Sequence, residues 1–140
     1  MQQNTTLSHL PLRCSLTDSQ NTAFLSNKEI KEWVIIGAGP AGIATVGKLL
    51  DKGINPRDIG WIDPVFKVGD LGEKWRPVSS NTKVGLFLKF LNACGSFCYQ
   101  DCPIDFKLNH LPLDGTCLLH DIAEPLQWVS DHLKKKNLCL

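Results

Sequence analysis

A glycine-spaced turn, set between a short apolar run and a helical stripe, constrains this chain more than any other feature. Trp33-Val34-Ile35-Ile36 is continuously apolar. That pattern predicts a strand buried on both faces of a parallel sheet, because a half-wet strand would alternate. Gly37-Ala38-Gly39-Pro40-Ala41-Gly42 follows at once, a G-x-G-x-x-G. Ile43, Val46, Leu49 and Leu50 then fall on one face of a helix. Pro40 stands where the first helical turn should begin, where a missing N–H costs little. Lys52 and Gly53 supply a cation and a left-handed residue to end it. A second apolar run, Ile59-Gly60-Trp61-Ile62, closes on Asp63. Strand, glycine turn, helix and strand make a βαβ unit of an α/β fold with a right-handed crossover.

Each glycine has a mechanical reading. Gly37 permits the tight turn off the strand, Gly39 keeps a Cβ away from a pyrophosphate, and Gly42 lets the helix lie close to the sheet. The unpaired N–H groups at the helix start, with the macrodipole behind them, favour an anion there. Asp63 follows Gly42 by 21 residues, about the spacing of the acid that accepts from an adenosine ribose. Its charge disfavours a 2′-phosphate, so the expected nucleotide is FAD or NAD in preference to NADP.

The stretch from Val34 to Ala44 resembles the N-terminal FAD fingerprint of two-dinucleotide-domain flavoproteins, and is most similar to that of flavin-containing monooxygenases and related FAD-dependent oxidoreductases. In that resemblance Asp63 matches the ribose-binding acid. Gly72-Glu73-Lys74-Trp75 is similar to the family's Gly-Gly-x-Trp beside the isoalloxazine, and Ser80-Asn81-Thr82 to its Ser-Asn-Thr stretch, whose Asn lies near the flavin. Ala123 to Leu133 resembles the helix before the next strand. The likeness spans roughly residues 32–136, specific at its start and looser later. Glu73 departs from the second glycine, and Val46 from the usual Ala or Gly, which would hold the helix further from the sheet. The resemblance implies a Rossmann-like FAD/NAD(P)-binding fold, FAD as cofactor, NAD(P)H as reductant and a second, nicotinamide-binding domain. Gly37, Gly39, Pro40, Ala41 and Gly42 would cradle the pyrophosphate, Asp63 the ribose, and Trp75 and Asn81 would approach the flavin. No side chain is assigned as a catalytic acid, base or nucleophile.

Charge narrows the partners. With 15 Lys and Arg against 14 Asp and Glu, the net charge is +1, too little for a general positive field that holds nucleic acid. No apolar run approaches the roughly 20 residues of a membrane-spanning helix. Six cysteines without an apolar leader suggest free thiols in a reducing compartment, the cytoplasm. Residues 1–30, rich in Ser, Thr, Asn and Gln, are expected to form a flexible tail, leaving 31–140 as a partial FAD/NAD(P)-binding domain.

Elsewhere the pattern is less specific. Val84 to Leu91, with Lys89 as its only charge, reads as a short buried element. Cys94, Cys98 and Cys102 recur every four residues, but their spacing does not match structural zinc pairs and Gly95 and Pro103 oppose a regular helix. Core or surface thiols are the simpler reading, over a metal site with His110 or His120 or a redox disulfide. His9, His110, His120 and His132 stand at no triad spacing, and Lys134-Lys135-Lys136 reads as a solvated helix end. Only two helical stripes are clear, at 41–52 and 122–136, and Asn137 to Leu140 is short for another βα unit. The chain therefore reads as the first half of a doubly wound domain, a truncated product or a subunit completed by a partner chain in preference to a small protein that completes its sheet in some other way. Two functions remain open: an FAD-binding segment of an oxidoreductase, inactive alone, and a non-catalytic nucleotide-binding or fold remnant that assembles with a partner.

Overall fold

The computed structural model describes residues 30–140. The tail expected over 1–30 lies, apart from Ile30, outside the described residues. The chain is mixed α/β with a small parallel sheet. Its elements are β1 (Trp33–Ile36), α1 (Pro40–Asp51), β2 (Ile59–Ile62), α2 (Gly69–Glu73), α3 (Val84–Leu91) and α4 (Leu119–Lys134), with 3-10 turns at Pro56–Asp58, Gly95–Phe97, Tyr99–Asp101 and Lys107–His110.

The βαβ unit forms where the sequence places it. β1 and β2 pair in parallel, with Ile35 opposite Trp61 and Ile36 opposite Ile62. α1 ends at Lys52 and Gly53, whose φ of +80° is the left-handed turn expected of a glycine there. Past the last helix, Cys139 bridges β2 in parallel: its N–H donates to Ile59 at 3.1 Å and its carbonyl accepts from Trp61 at 2.8 Å. Three segments therefore lie abreast in the order Cys139, β2, β1. Cys139, in a stretch too short to read as a strand, joins the sheet as a single bridge because β2 offers an open ladder.

The expectation that β1 is buried on both faces fails. Paired residues of a parallel ladder share a face, so Trp33, Ile35, Ile59 and Trp61 point one way and Val34, Ile36 and Ile62 the other. Ile35, Ile59 and Trp61 are buried, whereas Val34, Ile36 and Ile62 are 57%, 83% and 53% exposed. The reason is that the described helices supply cover on a single side. Ile43, Val46 and Leu49 of α1 join Ile122, Leu126, Val129 and Leu133 of α4 in one core with Ile35, Ile59 and Trp61. Val46, where the resemblance has a smaller residue, is fully buried in it.

The remaining elements brace this layer. A Cβ on Gly47 of α1 would overlap the Phe97 ring, so the missing side chain seats the Gly95–Phe97 turn. Asp51 fixes that turn by accepting from Gly95 N–H at 3.0 Å and Ser96 N–H at 2.8 Å. Cys98 has φ +50°, which breaks the chain into two 3-10 turns. Cys94, Cys98 and Cys102 thus share no helix face, and no group of three or more His, Cys, Asp or Glu among the described residues could hold a metal ion. The apolar 84–91 element is the amphipathic helix α3, buried at Val84 and Leu91. No helix among the described residues is long and apolar enough to cross a membrane.

Candidate functional site: the glycine turn

β1 leaves the sheet through a single glycine at positive φ. Gly37 has φ +101° and donates its N–H to the Ile62 carbonyl at 2.7 Å, extending the β1–β2 ladder by one residue. The next peptide unit is held at both ends. Its carbonyl, on Gly37, accepts from the indole Nε1–H of Trp61 at 2.9 Å. Its N–H, on Ala38, donates to Asp63 Oδ2 at 2.8 Å. The two holding residues stand two positions apart at the end of β2, where alternation points them to the same side.

Asp63 is therefore beside the glycine turn, as its spacing predicts. Its other oxygen accepts from Val65 N–H at 2.9 Å and Phe66 N–H at 2.6 Å. Burial works to raise its pKa, but the backbone donors of Val65, Ala38 and Phe66 outweigh it, and the carboxyl lies below its ordinary value of 3.8. A carboxylate offers about four lone-pair sites. Three are used within the fold, which leaves room to accept one external hydroxyl.

The glycines divide by what they are needed for. A Cβ on Gly42 would overlap the Gly37 carbonyl, so the fold itself requires glycine there. Gly39 is different. Its φ of −73° suits any residue, and a Cβ would meet nothing nearer than the Val68 carbonyl at 4.0 Å. No contact and no backbone angle within the chain requires glycine at 39, and the space beside it stands open. Gly39 is also the N-cap of α1, with Pro40 next, no side-chain cap and no acid in the first turn. Among the described residues nothing accepts from the N–H groups of Gly39, Ala41 and Gly42. Three free donors at the positive end of a 12-residue helix make a place for an anion.

The segment after Asp63 wraps over this turn. Phe66, Val68 and Gly69 have φ of +51°, +63° and +60°. For a β-branched residue such as Val68 this costs on the order of 1–3 kcal/mol. The offset is visible: Val68 is buried, Phe66 meets Trp61 edge-on at 5.1 Å, and Gln127 of α4 donates to the Phe66 carbonyl at 3.0 Å. The strap so fixed brings Gly69 against Gly39, its Cβ position 3.5 Å from the Gly39 Cα. A Cβ on Gly72 would overlap the Lys67 carbonyl, so α2 packs tightly on its own approach, while Glu73 points to solvent.

Trp75 and Asn81 are held by other parts of the fold. Trp75 follows α2, 53% exposed, its N–H on the Asp70 carbonyl. Asn81 sits in a tight turn made by Ser80 Oγ and Thr82 N–H. Segment 78–80 is tied to the start of α4 through Ser80 N–H to Cys117 and Leu119 N–H to Val78, both 2.8 Å. Arg76 reinforces that tie, reaching His120 Nδ1 at 2.8 Å and Glu124 at 3.3 Å. Neither Trp75 nor Asn81 has a hydrogen bond or ring contact with the glycine turn among the described residues. A cleft of about 410 Å³ between Leu88, Tyr99, Cys102 and Asn109 also takes no residue from the turn.

Trp61 is the site residue that sequence patterning passes over, because its apolar neighbours make it read as core. One signal is available: a buried indole needs an acceptor for its N–H, and Gly37 lies one strand away. Gly69 and Val68 carry no such signal, since their part depends on a three-dimensional wrap.

Comparison with known proteins bears on this geometry. The chain is 45% identical over 109 residues to a protein named monooxygenase AgnR1 from Paecilomyces divaricatus, a match that covers 74% of this chain and 28% of that relative. The chain therefore spans less than a third of the relative's length. No family model matches the chain, and no solved structure matches it.

Proposed function

We propose that this chain is the FAD-binding segment of an FAD-dependent, NAD(P)H-using oxidoreductase of monooxygenase-like kind, built as the first half of a Rossmann-like, doubly wound domain. The observation that supports this most is Gly39: its missing Cβ serves no contact within the chain, and it opens onto three unpaired N–H groups beside a charged carboxylate. In this reading Gly39, Ala41 and Gly42 donate to the diphosphate of FAD, Gly37 and Pro40 shape the turn, and Asp63 accepts from the adenosine ribose. Trp75 and Asn81 would approach the flavin once further polypeptide encloses it. FAD, when bound, supplies the electron-transfer chemistry, and this chain's own residues bind and orient it.

Two further points support the reading. The order Cys139, β2, β1 is compatible with the 3-2-1 half of a doubly wound sheet. The relative of similar sequence carries the name monooxygenase and is much longer than this chain. NAD(P)H use and activity belong to a completed assembly, so the chain by itself is expected not to oxidise NAD(P)H.

A second reading is favoured by the bare face of Val34, Ile36 and Ile62: a non-catalytic nucleotide-binding or fold remnant that works only by joining a partner chain. Reconstitution with FAD followed by desalting separates the two. A yellow chain with flavin absorbance supports the FAD-binding segment; a colourless chain that takes up no FAD leaves the remnant.

A further inference from the structure

We propose that Trp61 is a positioning residue for the diphosphate turn, its indole N–H and the Asp63 carboxylate together clamping the Gly37–Ala38 peptide so that the amides beyond it stay free for an anion. The proposal rests on the dinucleotide-binding reading and adds to it a residue that touches no ligand.

The need for a clamp follows from Gly37. A residue at φ +101° without a side chain is one whose neighbouring peptide rotates easily. Rotation of the Gly37–Ala38 peptide by half a turn would carry the carbonyl oxygen toward the Asp63 carboxylate, acceptor against acceptor, and set a negative dipole at the mouth of the anion site. Two contacts oppose this at opposite ends of the same peptide: Trp61 Nε1–H on the carbonyl at 2.9 Å and Asp63 Oδ2 on the N–H at 2.8 Å.

Trp61 itself is fixed. It is fully buried, and Phe66 packs edge-on against it with ring centroids 5.1 Å apart and planes at 86°. The bond also explains a second role of Gly42. A Cβ there would overlap the Gly37 carbonyl and come within 3.5 Å of the indole nitrogen, so the glycine leaves room for the donor and the acceptor at once. Trp61, Gly37 and Gly42 thus form one device, with the helix start as its output.

The test compares the full 140-residue chain with Trp61→Phe, which keeps an aromatic ring and removes the N–H. Amide hydrogen exchange is followed at Ala38 and, as a core reference, at Leu126 and Val129 of α4. ADP, as the diphosphate probe, is titrated into both proteins. The expected result is exchange at Ala38 about tenfold faster relative to the core amides, and ADP binding weakened about tenfold, the effect of one hydrogen bond left unmade. A merely structural indole would lower protection at Ala38 and in α4 in proportion and leave ADP affinity unchanged; that result overturns the proposal. Should Trp61→Phe fail to fold, the native protein decides: the Ala38 amide is expected to exchange about as slowly as the core amides of α4, and an Ala38 amide that exchanges freely while α4 stays protected rejects the clamp. If no amide from Ala38 to Gly42 responds to ADP in the native chain, the dinucleotide reading fails and the clamp's function fails with it.

Discussion

Asp63 Oδ2 and the backbone N–H of Ala38 lie 2.8 Å apart, although 25 positions separate them in the chain. The bond ties the residue that follows one strand to the turn that leaves the other, and it places a charged carboxylate beside three unpaired amide donors. An acceptor and a set of donors, close together and both partly open, are what the sugar and the diphosphate of one nucleotide require.

Removing that carboxylate should act on fold and binding together. Asp63→Ala frees three backbone N–H groups, those of Ala38, Val65 and Phe66. A loss of about 2 kcal/mol in chemical denaturation is expected, since bonds to a charged acceptor are worth roughly 1.5–3 kcal/mol each and these lie partly in solvent. Nucleotide affinity should fall by about tenfold or more in a titration. An Asp63→Ala chain of native stability would show that the anchor contributes nothing.

Acid should undo the same anchor. Burial opposes the charge on Asp63, but the donors Val65, Ala38 and Phe66 prevail and hold its pKa below 3.8; on Asp51 the donors Ser96 and Gly95 prevail likewise. A carboxyl whose folded pKa is depressed stabilises the fold above its unfolded value, and that contribution disappears as pH falls through the folded one. Stability should therefore drop on acidification below about pH 3.8. Asp63→Asn should flatten this acid limb in a series of denaturation curves. An unchanged limb would mean that other groups govern it.

The glycines should separate fold from function. Gly39→Ala adds a side chain at an ordinary φ into open space, so stability should change by less than about 1 kcal/mol, the freedom the unfolded chain loses being offset by a poorer helix cap. Gly42→Ala drives a Cβ into the Gly37 carbonyl and should cost about 1–3 kcal/mol, as overpacking does. Thermal melts of the pair check the contrast, and equal shifts would show that position 39 serves the fold as much as position 42.

The open sheet face makes a prediction about solubility. Ile36 is 83% exposed on a face it shares with Val34 and Ile62. Ile36→Lys should change stability by no more than about 0.5 kcal/mol, as surface substitutions do, while self-association seen by light scattering declines. A strongly destabilised Ile36→Lys chain would mean that the face is covered in solution.

Much of the βαβ unit is legible in sequence because its signals are local. The apolar run, the glycine spacing, Pro40 and Gly53 each fix a boundary within a few residues, and α1 begins and ends where they indicate. Asp63 is legible too, since strand length sets where the second strand must stop. The double burial of β1 is misread for a physical reason: an apolar run reports what a strand could bury, and not whether a helix arrives to cover it. Cys139 joins β2 through backbone alone, which no side-chain pattern announces. Trp61 reads as core, which it is, yet its N–H does more than fill space. The strap of Phe66, Val68 and Gly69 has left-handed residues where Phe and Val ordinarily avoid them, so propensity argues against what tertiary contacts enforce.

The most direct measurement is a titration of FAD into the wild-type chain and Gly39→Val, read by quenching of flavin fluorescence, with a thermal melt of each protein alongside. Saturable binding by the wild-type chain, weakened at least about tenfold in a Gly39→Val protein that still melts in one cooperative transition, is the result this account predicts. A wild-type chain that does not bind, or a valine variant that binds as tightly, would contradict it.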